Sequence, residues 1–313
     1  MPDDLTLARW RGQARRLWWI GGLAVIVLVV GIYFLKLVVG PPRDLTLTGD
    51  VSSGNYLILL SGCAACHTEH KPGMSGARLA GGDPIKTGFG TFYPPNITPD
   101  KETGIGSWTL GQFSDALSNG VGPMGNLYPV FPYNDLSLMS DQEVADLYAA
   151  IMASPAVARR APPNEVIFPF NIRLLVSGWK NLFFSPHRYR PAPGQSEEWN
   201  RGAYLANGLA HCVACHSPTN LMGAVQRGEE FQGNPAGGAG GNAPALTAAA
   251  LIGDGFDLTS LAQMLKTGDT PDAGRVGKEM ALVISDETSQ WSDSDRQAIA
   301  LYLLARSANV PAP

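Results

Sequence analysis

Two five-residue segments carry the chemistry of this chain: Cys63-Ala64-Ala65-Cys66-His67 and Cys212-Val213-Ala214-Cys215-His216. Two thiols three residues apart on a helical turn can reach the two vinyl groups along one edge of a haem. The adjacent imidazole then points at the iron. Cys63, Cys66, Cys212 and Cys215 are therefore expected to attach two c-type haems covalently, with His67 and His216 as proximal iron ligands. The chain has no other cysteine, so none is left for a disulfide framework. A thioredoxin-like dithiol would follow a strand in a βαβ setting and would need no neighbouring histidine. A zinc ribbon would bring both pairs into one site, whereas these lie 149 residues apart in duplicated surroundings.

The sixth iron ligand is less direct. Of the other histidines, His70 and His211 are too close to their own motifs to cross to the far face of the haem, and His187 lies in a linker. Methionine is expected on both distal sides, as in electron-carrying cytochromes, where it raises the potential. In the second copy Met280 falls in a loop between the middle and last helices. Met264 reads as a helix core residue and Met222 is too near the attachment motif. In the first copy both Met124, in a Gly/Pro-rich loop, and Met139, just before the closing helix, fit. Position alone leans to Met124.

The elements around these motifs occur twice. Gly54-Asn55-Tyr56-Leu57 precedes the first motif and Gly202-Ala203-Tyr204-Leu205 the second, while Asn96-Ile97-Thr98 and Ala245-Leu246-Thr247 follow at the offset of the cysteines. Each copy then predicts an amphipathic helix ending at glycine, 110–120 and 258–268. Each also predicts a closing helix opened by serine and acidic residues, at Ser140 and at Ser292. The expected fold is all-α: an N-terminal transmembrane helix followed by two tandem cytochrome c domains. The expected boundaries are a cytoplasmic tail 1–16, an anchor 17–39, a tether 40–51, domain 1 at 52–153, a Pro-rich and apolar linker 154–196 and domain 2 at 197–308.

The anchor rests on 17–35, nineteen residues without a charge, roughly 28 Å of helix and close to a bilayer core. Trp18 and Trp19 stand at one end and Tyr33 and Lys36 at the other, and the arginines ahead of the span put the rest of the chain in the periplasm. A cleaved signal peptide would have a shorter apolar region and a small-residue cleavage site. A second apolar stretch, 166–184, contains Asn171, Arg173 and Lys180 and reads as a buried connection between domains.

Net charge is -4, and Arg9, Arg11, Arg15 and Arg16 make the N-terminus positive, so the remainder is more acidic than the total suggests. Such a surface disfavours nucleic acid and favours a partner with a basic docking face.

With these residues laid out, the sequence resembles the membrane-anchored cytochrome c subunits of periplasmic alcohol, aldehyde and gluconate dehydrogenases. The resemblance runs from about Gly54 to Leu304 and is carried by CAACHT at 63–68, NITPDKETGIGSW at 96–108, LYPVFPY at 127–133, FPFNIRLLVSGWKNLFF at 168–184 and WNRGAYL at 199–205. Those subunits generally hold three haems and anchor near the C-terminus, so this chain looks like a shorter, dihaem branch. Relatives with phenylalanine in the slot of Phe131 often have methionine in that of Met139, and the resemblance thereby shifts the first distal ligand to Met139. It implies an electron carrier between a periplasmic dehydrogenase or similar donor and an oxidase or soluble cytochrome, with membrane lipid as a further partner and a bacterial inner-membrane location. The alternatives are a dihaem enzyme of peroxidase or thiosulfate-oxidising type, which would want an open or unusual distal position, and a purely structural subunit.

Overall fold

In the computed structural model, residues 4–35, 38–71, 74–238 and 241–306 are described. Lys36, expected at one end of the anchor, lies outside them. Two features of the expected fold are corrected. The chain is not all-α: short antiparallel pairs join His70–Lys71 to Met74–Ser75, Val121–Gly122 to Gly125–Asn126 and Asn234–Gly238 to Gly241–Ala243, and a three-stranded sheet orders Ile85–Thr87, Gly90–Phe92 and Glu165–Val166. The glycines and prolines that break helices leave extended segments, whose backbone groups pair with each other. The N-terminal transmembrane helix is also not supported. Among the described residues no helix is long and apolar enough to cross a membrane. The helix that covers the expected anchor begins at Asp4 and ends at Leu35, so the arginine cluster and the apolar run share one rod. Several of its apolar side chains, Trp18 and Ile26 among them, are exposed.

The two repeats are built alike. An opening helix, Val51–Leu60 or Glu197–Tyr204, crosses a closing helix, Asp141–Met152 or Asp293–Ala305. The crossing is close because a glycine stands at it. A Cβ on Gly54 would come within 1.9 Å of the Asp146 carbonyl oxygen, and one on Gly202 within 1.9 Å of that of Ala298. The closing helices start at Ser140 and Ser292, whose side chains accept from the backbone N–H of Glu143 and Asp295 and so satisfy end donors that would otherwise be unpaired. The middle helices, Leu110–Asn119 and Leu258–Thr267, stop at Gly120 and Gly268, both left-handed. One hydrophobic cluster draws on both repeats, from Ile58, Leu60 and Leu147 to Leu205, Leu209 and Tyr302.

The second opening helix contains one residue more than the first between its tyrosine and its cysteine motif. The extra residue is absorbed by a π-helical turn, Leu205–Leu209, the usual way a helix takes an insertion.

The connecting segment ties the repeats together. In the helix Leu175–Phe183, buried Lys180 donates to the carbonyls of Asn119 (2.8 Å) and Gly120 (2.6 Å) and to Asn126 Oδ1 (2.9 Å). Trp179 Nε1 donates to the Met222 carbonyl of the second repeat at 2.9 Å. The segment is buried on this face only, since Phe168, Leu174 and Leu182 are exposed.

Candidate haem-attachment sites

Each Cys-x-x-Cys sits on a short helical turn, Cys63–His67 and Cys212–Cys215, with all four thiols free. The histidine that follows is buried in both. His67 Nδ1 donates to the Pro95 carbonyl at 2.7 Å, and His216 Nδ1 donates to the Pro244 carbonyl at 2.7 Å, 28 residues on in each case. A carbonyl can only accept, so the proton is on Nδ1 and the Nε2 lone pair is left for a metal. Burial lowers both imidazole pKa values and keeps the rings neutral, as iron ligation requires.

The surrounding cradle repeats bond for bond. The carbonyls of His67 and His216 accept from Gly81 and Gly233, both at 2.9 Å. The hydroxyls of Thr68 and Ser217 accept from the backbone N–H of Leu79 (3.2 Å) and Phe231 (3.0 Å). Those two residues are left-handed, at φ 64° and 66°, a costly conformation for bulky side chains that persists only where the surroundings enforce it. Their carbonyls accept from Ile97 (2.9 Å) and Leu246 (2.8 Å), the residues two after the prolines.

The thiols themselves argue against dithiol redox chemistry. Burial, then the charge of Glu287, pushes Cys212 up to about 12, the opposite of the lowered pKa of a reactive cysteine. Among the described residues no three His, Cys, Asp or Glu side chains converge as a metal cluster would require, so a shared zinc site finds no geometry here. Two thiols on one turn beside an imidazole with a fixed tautomer do suit a covalent haem, twice.

The structure separates the candidate methionines by burial. Met139 is fully buried in the core cluster that Cys63 and Cys212 border, and Met280 is half-buried against the same cluster. Met124 stands 89% exposed at the tip of a two-stranded turn, and Met264 is a buried residue of the middle helix. Met280 is not in a loop as expected, but third in the helix Lys278–Asp286.

Sequence reasoning missed the supports of these groups. Pro95 and Pro244 stand at one shared offset, immediately ahead of the paired Asn96-Ile97-Thr98 and Ala245-Leu246-Thr247, and were legible there. Arg43 had no local signal. Its guanidinium donates to the Ser137 carbonyl at 2.7 Å, to the Met139 carbonyl and to Asp141 at 3.1 Å, fixing the backbone that presents Met139. The segment expected as a tether, 40–51, thus lies along the first repeat, with Gly40 and Asp44 also bonded to it, and its last residue opens the helix Val51–Leu60.

No protein-family model matches the chain. It is 38% identical to a diheme cytochrome c-type protein of Cereibacter sphaeroides, over 90% of this chain and 95% of the relative. It is 39% identical to a nicotinate dehydrogenase subunit of Pseudomonas putida over 92% of this chain, and 38% identical to the cytochrome subunit of fructose dehydrogenase from Gluconobacter japonicus over 81%. The chain spans 25% of the former and 52% of the latter.

Proposed function

The chain belongs to the family of dihaem c-type cytochromes and dehydrogenase cytochrome c subunits, electron-transfer proteins, and from that premise we propose that it carries two haems and relays electrons from a dehydrogenase partner to a respiratory acceptor. The observation that carries the reading is the duplicated proximal arrangement, with His67 on Pro95 and His216 on Pro244 beside four free thiols. Haem supplies the one-electron chemistry when bound. The chain's own part is to hold it through Cys63, Cys66, Cys212 and Cys215, to ligate iron with His67 and His216 and to exclude water.

Met139 and Met280 are the proposed distal ligands, supported by their place at the shared core and by the exposure of Met124. The proposed donor is a dehydrogenase, because relatives are named as subunits of alcohol, fructose and gluconate dehydrogenases, and the proposed acceptor is an oxidase or a soluble cytochrome. The two haem units are proposed as 52–153 and 197–308, working on the periplasmic side.

A redox titration followed in the visible bands tests the function, with two one-electron transitions per chain as the expected result. Met139→Ala and Met280→Ala should each open one iron to carbon monoxide. Closed irons in both variants would overturn the distal assignment.

A further inference from the structure

Each repeat reaches across to the other with the same residue. Tyr56, in the opening helix of the first, donates to Asp295 Oδ2 at 2.8 Å, and Tyr204, its counterpart in the second, donates to Glu143 Oε2 at 2.7 Å. Asp295 and Glu143 are themselves counterparts, each the third residue after the capping serine of a closing helix. Residue i meets j while j's repeat returns the same contact, which is the mark of an isologous interface, here within one chain. Both carboxylates are held ready: Arg201 Nε donates to Asp295 at 2.8 Å, and the Ser140 backbone N–H donates to Glu143 at 2.8 Å.

The tyrosines stand shortly ahead of their cysteine motifs, so a lock between them draws both haem-attachment turns to one seam. Contacts along the seam are dense. Trp291 Nε1 donates to the Leu59 carbonyl at 3.1 Å, and His70 Nε2 lies 2.7 Å from Asp286 Oδ2. The Glu287 side chain, on a residue 4% exposed, covers Gly62, where a Cβ would come within 2.5 Å of its Oε1.

The residue ahead of the first cysteine is left-handed in both repeats, at φ 60° for Gly62 and φ 37° for His211. Glycine adopts this at no cost and histidine does not. The backbone of Ser61, in the other repeat, lies beside the His211 ring, so the strained histidine stands at the seam.

We infer that Tyr56 and Tyr204 are positioning residues that clamp the two haem-attachment turns against one another and thereby set the mutual orientation of the two haems. The inference rests on the two-haem reading and extends it: the relay geometry is built by this reciprocal pair and not by the linker alone. His211 seats the second turn on the first within that clamp.

The test is circular dichroism in the Soret region of the holoprotein, where two haems held close in fixed orientation give a couplet. Tyr56→Phe with Tyr204→Phe keeps both rings and their packing and deletes the two donated bonds, together with the one that Tyr56 accepts across the same seam from the Ser292 backbone N–H at 2.9 Å. With pyridine haemochrome still giving two haems per chain, the double variant should lose at least half of the couplet amplitude, and each single variant a part of it. His211→Gly, which takes the same backbone freely, should lose a smaller part.

Tyr148→Phe, which removes a tyrosine bond internal to the first repeat (to the Trp108 carbonyl, 2.7 Å), should leave the couplet unchanged. If the double variant does not fold, the single variants decide by the same rule. A full couplet in the tyrosine variants, or an equal loss in Tyr148→Phe, overturns the clamp while the two-haem reading stands. A wild-type protein with two haems and no couplet overturns it as well. A haem count of one overturns instead the reading on which the clamp rests.

Discussion

In the first repeat His67 is bonded to Pro95 and Gly81, Thr68 to Leu79, and Leu79 to Ile97. In the second, His216, Pro244, Gly233, Ser217, Phe231 and Leu246 make the same bonds in the same order. The proposed distal ligands are not presented alike. Met139 precedes a capping serine, where the second repeat has Trp291, and it is held through its backbone by Arg43. Met280 rides on a helix of its own, Lys278–Asp286. The lesson is physical: presenting an imidazole with one tautomer on the side of a covalent attachment needs a fixed set of backbone bonds. A thioether on a flexible side chain can be brought to the iron from several scaffolds.

Four experiments press on this comparison. The largest effect is expected at the glycine crossings the repeats share. Gly54→Ala and Gly202→Ala each drive a methyl group into a carbonyl and should cost about 3 kcal/mol or more by denaturant unfolding. Similar losses in both would support equivalence of the scaffolds, and a tolerated substitution in one repeat would break it.

Next comes the pH dependence of two counterpart carboxyls, Asp135 and Glu287, each five residues ahead of a capping serine. Burial, and for Glu287 also the neighbouring Asp286, raises both to about 8. The native protein then keeps protons that the unfolded chain has lost, so stability is greatest below the ordinary carboxylate range and falls as pH rises towards 8. For Glu287 the fall is on the order of 2–5 kcal/mol. Asp135→Asn and Glu287→Gln should each flatten the slope of stability against pH, and an unchanged slope would remove the burial argument.

Smaller still is the cradle hydroxyl. Thr68→Val and Ser217→Ala each leave a buried N–H without its acceptor and should cost about 1–3 kcal/mol, equally in the two repeats. The smallest effect separates the distal candidates: Met124→Ala should leave the ferric spectrum unchanged, because its side chain lies in solvent. A spectral loss there would return the first distal site to that loop.

Much of this was legible in the sequence, and the reasons differ by element. The cysteine motifs, the capping serines and the glycine stops carry their physics locally, and each appears where expected. The strands are two or three residues long, or in Asn234–Gly238 five residues rich in glycine and proline, and show no period of two. Met280 reads as a loop residue in the sequence because a nine-residue helix opened by Gly277, with no side-chain cap, offers little start signal. The π-helical turn left a trace, since the tyrosine offset between repeats is one less than the cysteine offset, but only the fold says what absorbs the difference. Arg43 and the Tyr56–Asp295 and Tyr204–Glu143 bonds join residues far apart in sequence, and no local pattern could announce them.

The most direct test of the account is the covalent haem count by pyridine haemochrome on three proteins: wild type, Cys63→Ser with Cys66→Ser, and Cys212→Ser with Cys215→Ser. Two equivalent proximal cradles, each with its own thiols, predict two haems per chain in the wild type and one in each variant. A wild-type value near one, or a variant that still holds two, would contradict it.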